Sequence, residues 1–166
     1  MSSQPNLNRV DPTQRNLATE DDPTKLFRAG LHLLRGNRLP EAVAAFKRAL
    51  TMAPDEAIFM SYYGLALVQT GRQFQDALNL CEDAVKRSPY HPELYHNLAQ
   101  VYLMKGKRKK AIAALNRGLQ LDPHYDAILD EFRRIGIRKR PPLPFLDRDH
   151  LLNIYLGRTL RLMRLR

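Results

Sequence analysis

Small and apolar residues recur along the chain at intervals close to 34 residues. Four sets keep intervals of 34 or 35 residues: Pro54, Pro89 and Pro123; Ala42, Ala77 and Ala111; Gly30, Gly64 and Ala99; and Phe46, Cys81 and Leu115. A period of this length is typical of stacked helical hairpins, each of which buries its apolar side against its neighbours. The pattern therefore predicts an all-α array of repeated helix pairs.

Within this repeat, Gly and Pro divide the apolar periodicity into seven helices. We predict helices over residues 23–35, 39–53, 55–69, 74–87, 92–105, 108–121 and 125–135. The interval from Gly64 to Ala77 is 13 residues, whereas the corresponding intervals in the first and third units are 12. Because turns absorb insertions and packed helices do not, the extra residue is expected in the turn at residues 71–75.

Three stretches carry a resemblance to the tetratricopeptide repeat (TPR) family. They are residues 40–54 (PEAVAAFKRALTMAP), 91–102 (HPELYHNLAQVY) and 111–123 (AIAALNRGLQLDP). The resemblance implies a right-handed α-solenoid of three units, at residues 23–56, 57–91 and 92–125. The small residues of each unit would then lie where two helices cross closely. Gly118 departs from the pattern because it stands where the family usually has alanine.

Four segments lie outside the three units. Residues 1–22 are polar and lack periodicity, so they predict a disordered tail. Residues 126–136 predict a capping helix with a polar outer face. Residues 137–146 form a basic connector with three prolines in four positions, and residues 147–166 predict a basic amphipathic helix.

Charge is divided unevenly along the chain. Residues 1–104 hold 11 Lys/Arg and 11 Asp/Glu, whereas residues 105–166 hold 16 Lys/Arg and 6 Asp/Glu, which accounts for the net charge of +10. This division favours an anionic partner at the C-terminal end. With no run of 18 apolar residues and no signal sequence at the N-terminus, we expect a cytoplasmic protein.

The resemblance to TPR proteins implies a concave groove, lined by the first helix of each unit, that holds a peptide or helix of a partner protein. The expected groove residues are apolar at one end and polar at the other: Phe27, Leu31, Leu34, Ser61, Leu65, Val68, His96, Asn97, Gln100 and Leu103. Some TPR domains hold a C-terminal carboxylate with a clamp of lysines, asparagines and an arginine, and only Asn97 fits that clamp. An alternative is that the amphipathic C-terminal helix fills the groove.

Basic residues outside the groove are candidates for contact with an anionic partner. They are Lys105, Lys107, Arg108, Lys109, Lys110, Arg138, Lys139, Arg140, Arg158, Arg161 and Arg164. The competing interpretation of residues 105–110 is an ordinary solvated turn. For the last helix three roles remain open: docking on the repeats, binding an anionic membrane surface, and binding a partner helix.

The sequence contains no arrangement of residues that is typical of a catalytic or metal site. The five histidines have no metal-ligand spacing, no glycine-rich phosphate loop is present, and the single cysteine, Cys81, excludes an internal disulfide and occupies a packing position. We therefore expect no cofactor, no metal and no enzyme activity. The sequence predicts a protein-interaction scaffold, either an adaptor or a chaperone-like assembly factor. The alternative is an electrostatic tether that places the array on an anionic membrane surface or, without sequence specificity, on nucleic acid.

Overall fold

A computed structural model describes residues 17, 19–71 and 73–136. From Pro23 onward the described chain forms seven α-helices, and the described residues contain no strand, which confirms the predicted all-α class. The helices are α1 (Pro23–Arg35), α2 (Leu39–Met52), α3 (Ala57–Gln69), α4 (Phe74–Arg87), α5 (Pro92–Met104), α6 (Arg108–Leu121) and α7 (Asp126–Arg134). Each predicted helix end agrees with the structure to within two residues.

Short turns join the helices of each pair. Residues 36–38 link α1 to α2 and residues 105–107 link α5 to α6, whereas residues 70–73 link α3 to α4. The extra residue of the second unit therefore lies in its turn, as predicted. Asn37, Gly71 and Gly106 each take a left-handed backbone in their turns, and the longer turn has a second left-handed residue, Gln73, with φ of 55°.

The recurring small residues lie where the helices of a pair cross. A Cβ atom at Gly30 would lie 2.6 Å from Cε1 of Phe46, and one at Gly64 would lie 2.7 Å from the carbonyl oxygen of Ala77. These distances are shorter than van der Waals contact, so only glycine fits either position without movement of its neighbours. Ala99, the equivalent residue of the third unit, is fully buried.

Gly118 is glycine because of the helix that follows it. A Cβ atom at this position of α6 would overlap Cδ1 of Ile128 on α7, and it would lie 3.4 Å from Cβ of Tyr95. Ile128 is fully buried. The capping helix thus occupies the space that the methyl group of an alanine would take.

The core runs between neighbouring helices as a series of clusters, as expected for a repeat array. Ala42, Phe46 and Ala66 belong to one cluster, and Met60, Ala84 and Leu94 belong to the next. Every residue of helix α3 is buried or half-buried. It is therefore the central helix of this core.

The N-terminal residues that the structure describes correct one prediction. Leu17 and Thr19 are helical, Leu17 packs on the first cluster, and its carbonyl oxygen accepts a hydrogen bond of 2.8 Å from Arg48. The predicted disordered tail therefore does not include them, because an apolar contact and a hydrogen bond hold this part of the chain. Asp22 caps α1, because its carboxylate accepts a hydrogen bond of 2.8 Å from the amide of Thr24.

By its internal contacts the chain divides into two units, residues 1–129 and 130–166. The second unit is described only to residue 136, and there Arg134 pairs with the buried carboxylate of Glu131 at 3.3 Å. The predicted connector at 137–146, the predicted helix at 147–166 and residues 1–16 lie outside the described residues. These parts of the domain organisation stay predictions.

Candidate functional site

An aromatic cluster forms the apolar end of the predicted groove. The ring of Phe27 stacks on Phe59 with centroids 4.6 Å apart, and it meets the edge of Tyr62 at 5.4 Å. Phe46 closes the cluster at 5.6 Å from Phe27. Phe27 nevertheless remains half-buried, so part of a rigidly held ring lies at the surface. Such a ring offers apolar contact area at little entropic cost.

A hydrogen bond between two first helices joins this cluster to the polar end. The hydroxyl of Tyr62 on α3 donates to Oε1 of Glu93 on α5 at 2.5 Å. Burial raises the pKa of Tyr62 well above its ordinary value, and the hydrogen bond to the Glu93 carboxylate raises it further. Burial, together with the charge of Glu93, also raises the pKa of Tyr125 to about 12. The hydroxyl groups of Tyr62 and Tyr125 therefore stay protonated at neutral pH.

A small open pocket lies beside Glu93. Its volume is about 310 Å³, and its wall contains carboxylate, imidazole and apolar groups: Glu56, Ala57, Ile58, Ser88, His91, Glu93 and Leu94. These residues come from the beginnings of α3 and α5 and from the end of α4. The pocket is large enough for one side chain of a bound segment.

The polar end itself is built on α5. Nε2 of His96 lies 3.2 Å from Nε2 of Gln100, and the His96 ring meets the edge of Tyr125 at 6.3 Å. Leu103, one turn further along α5, is half-buried. These side chains are partly accessible and offer both hydrogen-bonding groups and apolar surface.

Four of the predicted groove residues are buried in the structure. Nδ2 of Asn97 donates to Oγ of Ser61 at 3.1 Å, and this bond links α3 to α5 inside the protein. Leu65 and Val68 have 4% and 6% of their surface exposed. The partly accessible members are Phe27, Leu31, Leu34, His96, Gln100 and Leu103, which we call the groove face. Sequence reasoning missed Tyr62, Glu93 and Tyr125, which adjoin it.

The burial of Asn97 also removes the one residue that fitted the carboxylate clamp. Its side-chain amide is bonded to Ser61, and Glu93 adds a negative charge close by. A carboxylate ligand would meet repulsion here.

The basic turn at residues 105–110 is exposed along its whole length. Nζ of Lys105 and Nζ of Lys107 lie 5.0 and 5.2 Å from the centroid of the Phe74 ring, and Nζ of Lys110 lies 5.7 Å from that of Tyr102. The remaining predicted cations, Arg138, Lys139, Arg140, Arg158, Arg161 and Arg164, lie outside the described residues. Their contact with an anionic partner stays a prediction.

Cys81 occupies a buried packing position, and its thiol lies 3.4 Å from the carbonyl oxygen of Ser61. Burial raises the pKa of this thiol to about 12, so it is not a nucleophile at neutral pH. Within the described residues, no group of three or more His, Cys, Asp or Glu side chains is arranged to hold a metal ion. In the same part of the chain, no helix has the length and apolar character needed to cross a membrane.

Paired helices, small residues at the crossings and a partly accessible face on the first helices define a helical-repeat protein. Two family models, both described as tetratricopeptide repeat, match residues 27–73 and 72–130. Together they cover residues 27–130, which is nearly all of the three predicted units. The chain belongs to the tetratricopeptide repeat family, whose fold generally serves protein–protein interaction.

Two relatives of this chain are much longer proteins. The chain is 27% identical over 103 residues to the TPR repeat-containing thioredoxin TTL4 of Arabidopsis thaliana, a match that covers 62% of this chain and 15% of that protein. It is 32% identical over 91 residues to the Hsp70-Hsp90 organizing protein of Triticum aestivum, covering 55% of this chain and 16% of that protein. The chain thus spans about one sixth of the length of either relative.

Solved TPR structures agree with the fold. The first TPR domain of Spaghetti (RPAP3), bound to the HSP90 peptide SRMEEVD, superposes with a TM-score of 0.60 at 18% identity, covering 69% of this chain and 93% of that one. YrrB, described as a TPR protein with an unusual peptide-binding site, gives a TM-score of 0.61 at 19% identity, covering 73% and 62%. At these identities the likeness establishes the fold.

Proposed function

We propose that this chain is a protein-interaction scaffold that binds a peptide or a helix of a partner protein on its groove face. Such a scaffold would act as an adaptor or an assembly factor. The observation that carries this proposal is the partly accessible Phe27 ring, which three other aromatic rings hold in place. A fixed aromatic group at a surface is typical of an energetically dominant contact in a protein interface.

The groove face suits an amphipathic segment. Leu31 and Leu34 extend its apolar end, while His96 and Gln100 supply polar groups at the other end. The pocket of about 310 Å³ beside Glu93 can receive one anchoring side chain. Because Glu93 is negative and Asn97 is buried, the proposed ligand does not end in a carboxylate held by a clamp.

Two pairs of substitutions test this proposal. Leu31→Glu with Leu103→Glu adds two charges to the groove face, at one position on α1 and one on α5. The matched control, Ala44→Glu with Ala113→Glu, adds the same charges at exposed positions on the second helices α2 and α6. Circular dichroism should show that both variants fold.

The measurement is affinity purification of each tagged variant from cell extract, followed by mass spectrometry. We expect the groove-face variant to lose the proteins that copurify with the unmodified chain, and the control variant to keep them. Equal recovery of the same proteins by both variants would mean that the groove face is not the binding surface.

A further inference from the structure

The turn at residues 105–110, which we call the lysine turn, concentrates positive charge at the end of α5. It contains five cations in six residues: Lys105, Lys107, Arg108, Lys109 and Lys110. All five are exposed. Two of the ammonium groups lie at 5.0 and 5.2 Å from the same ring, Phe74, so cation–π attraction holds them close together in spite of their repulsion.

Carboxylates do not neutralise these lysines. Among the ion pairs of the described residues, none contains Lys105, Lys107, Lys109 or Lys110. The equivalent turn of the first unit differs, because there Arg38 pairs with Glu41 at 3.0 Å. On the adjoining helix α4, the carboxylate of Glu82 accepts a hydrogen bond from the hydroxyl of Tyr102. The charge of these four lysines is therefore available to a partner.

The position of the turn also opposes helix stability. Arg108, Lys109 and Lys110 form the first turn of α6, where the helix dipole favours acidic residues. Helices α2, α4 and α5 follow that rule with Glu41, Asp76 and Glu93. Lys109 and Lys110 thus oppose the dipole, and neither has an ion pair among the described residues, a combination that is typical of a surface kept for binding.

Both the extent and the surroundings of the turn indicate the class of partner. Further along α6 the only exposed cation is Arg117, which bonds to Gln120 at 2.9 Å. A duplex offers a long row of phosphates, whereas within the described residues this positive surface covers little more than one helical turn. The rings of Phe74 and Tyr102 lie beneath ammonium groups, so they are not available for stacking on bases.

The lysine turn follows the groove face without a break. Gln100 and Leu103 belong to that face, Met104 is 51% exposed, and Lys105 is the next residue. We propose that the lysine turn binds an acidic segment of the same protein partner whose neighbouring segment lies on the groove face. This inference rests on the proposed function, and it adds a second contact with opposite chemistry.

Fluorescence anisotropy of the full chain with a fluorescein-labelled peptide of twelve alternating Glu and Ala residues tests it. We expect Lys107→Glu with Lys109→Glu to weaken binding at least about tenfold, because each reversal replaces attraction by repulsion. The matched control, Arg28→Glu with Lys47→Glu, changes the net charge equally at exposed positions on α1 and α2 and should weaken binding less than about threefold.

Equal losses in the two variants would overturn the proposal, because net charge alone would then explain binding. It would also be overturned if the lysine-turn variant lost binding to a DNA duplex, or to vesicles containing phosphatidylserine, while it kept its affinity for the peptide. Capture of partner proteins by the groove-face variant, Leu31→Glu with Leu103→Glu, is a separate measurement, so either proposal can fail without the other.

Discussion

Gly64 provides a quantitative test of the way in which the repeats pack. Replacing it by alanine adds one methyl group in the middle of α3, where the new Cβ atom would lie 2.7 Å from the carbonyl oxygen of Ala77 and 2.8 Å from Sγ of Cys81. The carbonyl belongs to the backbone of α4 and cannot rotate away. The two helices must therefore separate for the methyl group to fit.

Two opposing contributions determine the size of the effect. Overpacking of a tight core costs about 1–3 kcal/mol. Alanine in a helix interior is better than glycine by about 1 kcal/mol, which offsets part of this cost. Since the obstructing atom belongs to the backbone, we take the upper part of the overpacking range and expect a net loss of about 1–2 kcal/mol in the free energy of unfolding. For an array of this size that loss lowers the melting temperature by about 5–15 °C.

Gly118→Ala serves as the comparison. Its Cβ atom would meet Cδ1 of Ile128, the far end of a flexible side chain. We expect a smaller loss than at Gly64, and we expect Ile128→Val in the same chain to reduce that loss, because it removes the obstructing atom. Urea unfolding followed by circular dichroism measures all of these variants. If Gly64→Ala were as stable as the parent chain, the close helix crossing inferred at this position would be wrong.

Three further predictions concern buried groups. Asn97→Ala should lower the unfolding free energy by about 1–3 kcal/mol, because it removes the hydrogen bond to Ser61. The loss should be smaller in a chain that already carries Ser61→Ala, and additive losses would argue against the hydrogen bond. Cys81 should react with Ellman's reagent at pH 8 only after unfolding, because its pKa is raised to about 12; rapid reaction of the native chain would contradict its burial. Burial and the hydrogen bond to Glu82 raise the pKa of Tyr102 from 10.0 to about 12, so the stabilising contribution of its protonated hydroxyl should be lost as the pH rises from about 10 to 12. Tyr102→Phe should therefore flatten the fall of the unfolding free energy in that window, and an unchanged slope would refute this.

Much of the fold follows from local sequence signals. Pro92 begins α5, and Gly106 takes a left-handed conformation in the turn that follows this helix. The 13-residue interval from Gly64 to Ala77 placed the insertion in the correct turn. Such signals act within a few residues, so a single sequence contains them. The contact of Gly64 with α4 was expected instead from the resemblance to TPR proteins, which implies that the small residues lie where two helices cross.

The candidate site was less predictable, because it depends on how neighbouring helices are placed side by side. The bond from Tyr62 to Glu93 joins residues 31 positions apart, and no local pattern fixes that pairing. Ser61 and Asn97 are polar, and sequence reasoning assigned them to the groove, whereas the structure pairs them with each other. One signal was available: α3 contains no charged residue, and a helix that is apolar on every side is a buried helix.

The claim that the first helices carry the binding surface is tested most directly by photo-cross-linking in cells. A photoreactive benzoylphenylalanine would replace Leu31 or Gln100 on the groove face, and Ala44 or Ala113 on the second helices. We expect the Leu31 and Gln100 positions to form covalent adducts with a partner protein and the other two positions to form none. Adducts at Ala44 or Ala113, with none at Leu31 or Gln100, would contradict the account.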